Sequence, residues 1–132
     1  MSPDALADGW EAAWSGREPE AFEAVCDPEI HYEDPLTLEP LEGPEALGAH
    51  AERLWAAFPD ARLERTGTRL HNGQFLAMPS KLLATHRGAL EGLPPTNRFI
   101  VAHCVCYCEL RGDRLLRVRA FFDLYDAATQ LG

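Results

Sequence analysis

The chain has 132 residues, 46% hydrophobic and 25% charged, which is the length and balance of one folded domain spanning 1–132 and excludes two domains or a disordered chain. Twelve Lys+Arg against twenty-one Asp+Glu leave a net charge of −9, which repels phosphate backbones and anionic bilayers, so neither nucleic acid nor a membrane is expected as partner. No apolar run approaches the ~20 residues of a membrane span and Met1-Ser2-Pro3-Asp4 lacks a signal-peptide pattern, so the expected location is cytoplasmic.

Ser2, Pro3 and Asp4 form the cap and first turn of a helix whose apolar stripe is Leu6, Trp10, Ala13 and Trp14, ending at Ser15-Gly16. Pro19 opens a second, short helix with Phe22, Val25 and Cys26 on one side, closed by Asp27-Pro28. Ile30 to Glu33 reads as a brief strand, closed by Asp34-Pro35, and 36–43 as a loop. Gly43-Pro44-Glu45 opens a third helix that buries Leu47, Ala51, Leu54, Trp55 and Phe58, with His50 on its flank, and Pro59-Asp60 breaks it.

The remainder reads as β structure. Segments 61–71 and 74–87 flank Asn72-Gly73, a strong hairpin signal; 88–97 is a loop; 98–110 and 114–125 flank the turn Gly112-Asp113; 126–132 is a short tail. Helices first and a four-stranded antiparallel run afterwards define an α+β architecture, a curved antiparallel sheet covered by three N-terminal helices. The segment Phe99 to Cys108 is apolar on both faces. Helices cover only one of them, so the other is expected to meet a second copy of the chain in a homodimer, or else to stay as a greasy surface. The curved sheet with its helices makes a cone with an apolar interior, suited to a small apolar molecule.

Cys104, Cys106 and Cys108 alternate along one strand, while Cys26 stands alone. Residues i and i+2 on one strand face lie ~6.5–7 Å apart, too far for an easy disulfide, so reduced thiols are expected. No Cys-x-x-Cys knuckle with matching histidines is present, so no metal is expected. The glycines form no phosphate-cradling fingerprint, and no serine, cysteine or lysine stands in a nucleophile setting by its sequence neighbours, so no cofactor and no covalent catalysis are expected.

An ordered set of short motifs resembles the SnoaL-like branch, polyketide cyclases and relatives, of the nuclear-transport-factor-2-like superfamily. The first is His31-Tyr32-Glu33-Asp34-Pro35 followed by Gly43-Pro44-Glu45-Ala46-Leu47, similar to the family's Tyr-x-Asp-Pro and Gly-x-x-Ala. The second is Ala57-Phe58-Pro59-Asp60. The third runs through Thr85-His86-Arg87-Gly88, Leu93-Pro94-Pro95-Thr96, Phe122-Asp123 and Gln130-Leu131-Gly132. Asn97 stands where the family's loop carries glycine, and asparagine tolerates left-handed backbone angles. The resemblance implies a cone-shaped fold and makes Asp123 the acid/base residue.

The residues read the same way on their own chemistry. Asp123 follows Ala120-Phe121-Phe122; a carboxylate among aromatic side chains loses hydration and its pKa rises toward neutrality, where it can shuttle protons. The alternative is a cap at the strand end. Arg119, on the same strand face four residues earlier, is expected to hold Asp123 ionised and lower its pKa, to bind an oxygen of the ligand, or to belong with Arg117 to a solvated face. His86 borders the predicted cavity and His103 lies in the apolar strand, its face set by the turn at 111–113; either imidazole would relay a proton or polarise a carbonyl, or be a structural residue. Tyr32, Asp34, Trp14, Trp55, Phe58 and Phe121 are the expected ligand-lining side chains. The function expected is a cofactor-independent cyclase or isomerase acting on a hydrophobic carbonyl compound; the alternatives are a non-catalytic binding protein for an apolar metabolite, or an interaction module.

Overall fold

Ser2 caps α1 (Pro3–Ser15): its hydroxyl accepts the Ala5 N–H at 3.1 Å, and Pro3 fills the first turn where no N–H is needed. The computed structural model describes Met1–Gly132. A short 3-10 helix (Pro19–Ala24) leads into β1 (Cys26–Glu33), and β2 (Leu41–Glu42) pairs back on β1. Helix α2 (Pro44–Ala57) follows, then β3 (Arg62–Arg65), β4 (Leu70–His71), β5 (Phe75–Thr85), β6 (Phe99–Arg111), β7 (Arg114–Phe122) and a C-terminal helix α3 (Leu124–Leu131). The strands form one curved, unclosed sheet in the order β2-β1-β7-β6-β5-β3, with β4 also on β5.

The expected α+β layering holds, with three differences in detail. The sheet has seven strands, because the segment 61–71 is split by Thr66-Gly67-Thr68 and because 26–33 and 41–42 join the sheet as β1 and β2. One pairing, β1 with β7, is parallel. The tail is helical, and its Leu124, Ala127, Ala128 and Leu131 fall at i, i+3, i+4 and i+7, the period of an amphipathic helix. Gln130 in α3 fastens it to the free edge of β6, accepting the Val101 N–H and donating to the Val101 carbonyl, both at 2.8 Å.

Strand β6 alternates strictly. Ile100, Ala102, Cys104, Cys106 and Cys108 face the helices, whereas Phe99, His103, Val105 and Tyr107 face away and are exposed. Strand β7 begins with a two-residue turn, Arg111 opposite Arg114, and then shifts register beyond Leu115, so that Arg117 pairs with Glu109 and Arg119 with Tyr107. This bulge is what turns Val118, Ala120 and Phe122 inward and Arg117, Arg119 and Phe121 outward. Gly88 is required where β5 meets α2: an added Cβ would lie 2.1 Å from the Ala56 carbonyl oxygen. Asn97 adopts φ +59°, the left-handed turn that the family's glycine would make.

The core is a cluster of 27 buried residues between α1, α2 and the inner sheet face. Its centre is aromatic. Trp10, Trp14, Phe22 and Trp55 meet with ring centroids 5.2–6.5 Å apart, mostly edge to face. Trp55 also donates its indole N–H to the Trp14 carbonyl at 3.0 Å, so the two helices are held in a fixed register above the sheet.

Candidate functional site

Where the sheet curls away from the helices it leaves a cavity of about 290 Å³. Of the 24 residues lining it, 22 are hydrophobic. Trp10, Trp14, Trp55 and Phe58 form the helical wall, and Ile100, Ala102, Cys104, Cys106, Ala120 and Phe122 the sheet wall. Leu90, Glu91 and Leu93 from the loop before β6, together with α3, stand around it.

One carboxylate reaches this apolar wall from inside the fold. Asp34 follows the end of β1 and its side chain is only 3% exposed. Oδ1 accepts the Leu36 N–H at 2.7 Å, an Asx-type turn that Pro35 favours. Oδ2 accepts from the Tyr32 hydroxyl at 2.6 Å and faces His50 Nε2 at 2.8 Å. The Arg53 guanidinium donates to His50 Nδ1 at 3.3 Å, which leaves that nitrogen as acceptor and puts the ring proton on Nε2, donated to Asp34. Burial alone would push the Asp34 pKa up, but the hydrogen bonds from His50 and Tyr32 outweigh it and hold the carboxyl below the usual range. Tyr32 is pushed the other way, far above an ordinary phenol, by burial and by the neighbouring Asp34 charge. It stays a neutral donor.

His50 is the residue that sequence reasoning missed. It is 3% exposed, not a flank position. The signal was present: it stands three residues after Leu47 and four before Leu54, on the stripe that buries those leucines. A polar side chain on an apolar stripe reads locally as the stripe's edge.

Asp123 requires a correction. It is exposed, outside the cavity lining, and caps α3, its Oδ1 accepting the Asp126 N–H at 3.0 Å. The expected dry carboxylate fails because the chain leaves the sheet at Phe122 and starts a helix, and the cap turns the side chain toward solvent. Arg119 also points away from the cavity and pairs with Glu33 on the outer face. Phe121, 55% exposed opposite Val105, lies on the same outer face. His103 lies there too, across from Lys81, because the even-numbered residues of β6 take the interior.

His86 is fully buried but stands behind Phe58, with ring centroids 5.3 Å apart, and is not part of the cavity wall. Its Nδ1 accepts the Thr96 N–H at 3.2 Å and its backbone pairs with Asn97 and Arg98, so it anchors the loop around 88–97. Tyr32, Asp34, Trp14, Trp55 and Phe58 all line the cavity.

The cone of helices over a curved sheet is a ketosteroid isomerase-like fold. It superposes on a protein of that fold from Catenulispora acidiphila, crystallised with trimethylamine, with TM-score 0.82 and 17% identity over 96% of this chain and 92% of that one. It also superposes on IdmH, a candidate polyketide cyclase from Streptomyces antibioticus (TM-score 0.86, 20% identity, 100% and 99% covered). A candidate polyketide cyclase from Acidithiobacillus ferrooxidans gives TM-score 0.83 at 23% identity, with 99% and 97% covered. Within this fold the chain belongs to the SnoaL-like polyketide cyclase family, whose sequence profile matches residues 4–131. No functionally curated protein matches the sequence. No helix is long and apolar enough to cross a membrane.

Proposed function

We propose that the protein is a SnoaL-like enzyme that moves a proton on a hydrophobic carbonyl compound, in an isomerisation or an intramolecular aldol-type ring closure, with Asp34 as the acid/base group. The observation that carries this reading is the isolation of Asp34: an ionised carboxylate among almost wholly apolar walls, backed by Tyr32 and His50. A carboxyl held below its usual range is a base at any physiological pH, but a weak one. It removes only hydrogens already acidified by adjacent carbonyls, which are the hydrogens that polyketide-like chains carry between their oxygens. As Asp34 takes the proton, its negative charge disappears, and the Tyr32 O–H and His50 N–H become free to turn toward the developing enolate oxygen. The likeness to candidate polyketide cyclases supports the same substrate class.

Hydrogen–deuterium exchange at the α-carbon of 2-tetralone in D2O tests this without knowledge of the natural substrate. The wild-type chain is expected to accelerate exchange, and D34N to lose roughly 10²–10⁴-fold of that acceleration, the usual contribution of a positioned acid/base group. Equal exchange by wild type and D34N overturns the assignment.

A second reading, a non-catalytic binding protein for an apolar metabolite, is favoured by the saturation of Asp34 with three donors and by the small amine bound to the Catenulispora protein. Ligand binding that survives D34N, with no exchange by either form, selects it.

We also propose a homodimer formed through the outer sheet face, supported by the exposed Phe99, Val105, Tyr107 and Phe121 on neighbouring strands. Sedimentation velocity is expected to give a dimer that V105E converts to monomer; a monomeric wild type at tens of micromolar overturns it.

A further inference from the structure

Only two of the residues that line the cavity are not hydrophobic, and both are acids, Asp34 and Glu91. No lysine, arginine or histidine is among them. Two guanidinium groups come close to the helical wall without lining it, and both are engaged. Arg53 meets His50, and Arg17, 5.7 Å from the centre of the Trp55 ring, donates to the Pro59 and Ala61 carbonyls. At the two ends of the loop before β6, Arg87 stands beside Asp60 and Arg98 packs over Gly132. An apolar space bounded by charge of one sign focuses its field and draws in counter-ions, and the net charge of −9 acts in the same direction.

Glu91 is set in place by the backbone. The Leu90 N–H donates to the Leu93 carbonyl at 3.0 Å and the Leu93 N–H to the Leu90 carbonyl at 2.8 Å, closing a turn whose centre is Glu91 and Gly92. Both central residues are left-handed, with φ +47° and +82°. Glycine or asparagine is usual in such a turn, and a glutamate in this conformation points to a use for its side chain. Leu90 and Leu93 seat the turn on the cavity and Glu91 is exposed, so its carboxylate stands where the cavity meets solvent. It takes part in none of the chain's ion pairs.

The two carboxylates differ as partners for a cation. Asp34 already accepts three hydrogen bonds inside the wall, and an ammonium group brought there would lose its hydration. Glu91 has its acceptor sites free and keeps both partners in water. We propose that the cavity is selective for amphiphilic amines, with the apolar body against Trp14, Trp55 and Phe58 and the protonated amine at the mouth against Glu91. For the reaction proposed above, this narrows the substrate to a hydrophobic carbonyl compound that carries such an amine. The proposal rests on the reading of this cavity as the ligand site and is independent of proton transfer at Asp34.

Three compounds with a phenylalkyl body and different heads test it by titration calorimetry on the full chain: 4-phenylbutylamine, the neutral 4-phenylbutan-2-one and 4-phenylbutyrate. At pH 7 the amine is protonated and the acid ionised. The amine is expected to bind about fivefold tighter than the ketone, the effect of one exposed ion pair, and the carboxylate about fivefold weaker. Raising the salt from about 0.05 to 0.5 M should remove most of both differences. All three tryptophans of the chain line the cavity, so the amine should change their fluorescence and displace the ketone. E91Q is expected to bring the amine to within about twofold of the ketone, and E91K to make the carboxylate the tighter of the two charged compounds. Equal binding of amine and ketone, an amine preference that survives E91Q, or an amine that does not displace the ketone overturns the proposal and leaves the cavity and Asp34 readings standing. An amine preference lost in E91Q, beside equal 2-tetralone exchange by wild type and D34N, upholds the proposal and overturns the Asp34 assignment alone. Binding of none of the three compounds overturns the cavity reading and the proposal with it.

Discussion

Asp34 and Asp123 begin alike. Each follows a strand, and each carboxylate accepts a backbone N–H two or three residues further on, from Leu36 and Asp126 respectively. They part in what else reaches them. Tyr32 from the same strand and His50 from α2 close over Asp34, whereas nothing closes over Asp123, which faces solvent at the head of α3. Capping a turn therefore leaves chemistry open. What separates the cavity-lining carboxylate from the solvent-facing cap is burial together with donors from a second element, and only the fold brings those together.

The comparison is broken most sharply by activity. D123N is expected to leave 2-tetralone exchange within about threefold of wild type, while D34N loses the acceleration, because general acid–base groups contribute orders of magnitude and surface caps contribute none. Equal losses in the two variants return Asp123 to the chemistry. Stability gives the next largest contrast. H50A removes a charge-assisted hydrogen bond from a buried carboxylate and leaves a void beside Trp14, whose ring centroid lies 6.4 Å from that of His50; a loss of about 3 kcal/mol in urea unfolding is expected. A loss under about 1 kcal/mol means that water replaces the imidazole without difficulty.

The same pair predicts a pH dependence. The folded-state pKa of Asp34 lies below its unfolded value, so its contribution is fully present above the unfolded pKa of about 3.9 and is lost as pH falls through the folded value. The stability gap between wild type and D34N should therefore stay constant at neutral pH and narrow below about pH 4. A gap that is flat down to pH 2, or that widens, shows that Asp34 is not held ionised.

Much of this molecule was legible before any coordinates. Ser2-Pro3, Gly43-Pro44, Asn72-Gly73 and Gly112-Asp113 mark boundaries through local chemistry, and local chemistry is visible in a string of residues. Trp14, Trp55 and Phe58 are buried, as helical spacing suggests, whereas β6, apolar on both faces in sequence, buries only its even-numbered residues. The illegible parts depended on partners distant in sequence. The parallel pairing of β1 with β7 joins residues about ninety apart, and the bulge beyond Leu115 decides on which face Arg119 emerges. His50 read as a flank residue because its acceptor lies sixteen residues away, across a loop. The helix at 124–131 was readable from its period but was too short to outweigh the strand before it.

The smallest effect concerns that helix. Asp123 caps α3, and α3 presents Leu124, Ala127, Ala128 and Leu131 to the cavity. D123A should cost about 1 kcal/mol, the usual value of one N-cap. A helix of eight residues has little cooperativity of its own and is held by Gln130 on Val101 and by its apolar face, so the loss should fall on local opening of α3. Hydrogen exchange is expected to speed up by roughly fivefold at the amides of α3 and to stay unchanged at those of β5, with dissociation of 4-phenylbutan-2-one accelerating by a similar factor. If D123A instead loosens the whole sheet equally, α3 is part of the global folding unit and not a separately opening wall of the cavity. Asp123 would then matter to the site through overall stability alone, and the division of labour between the two aspartates would be one of degree.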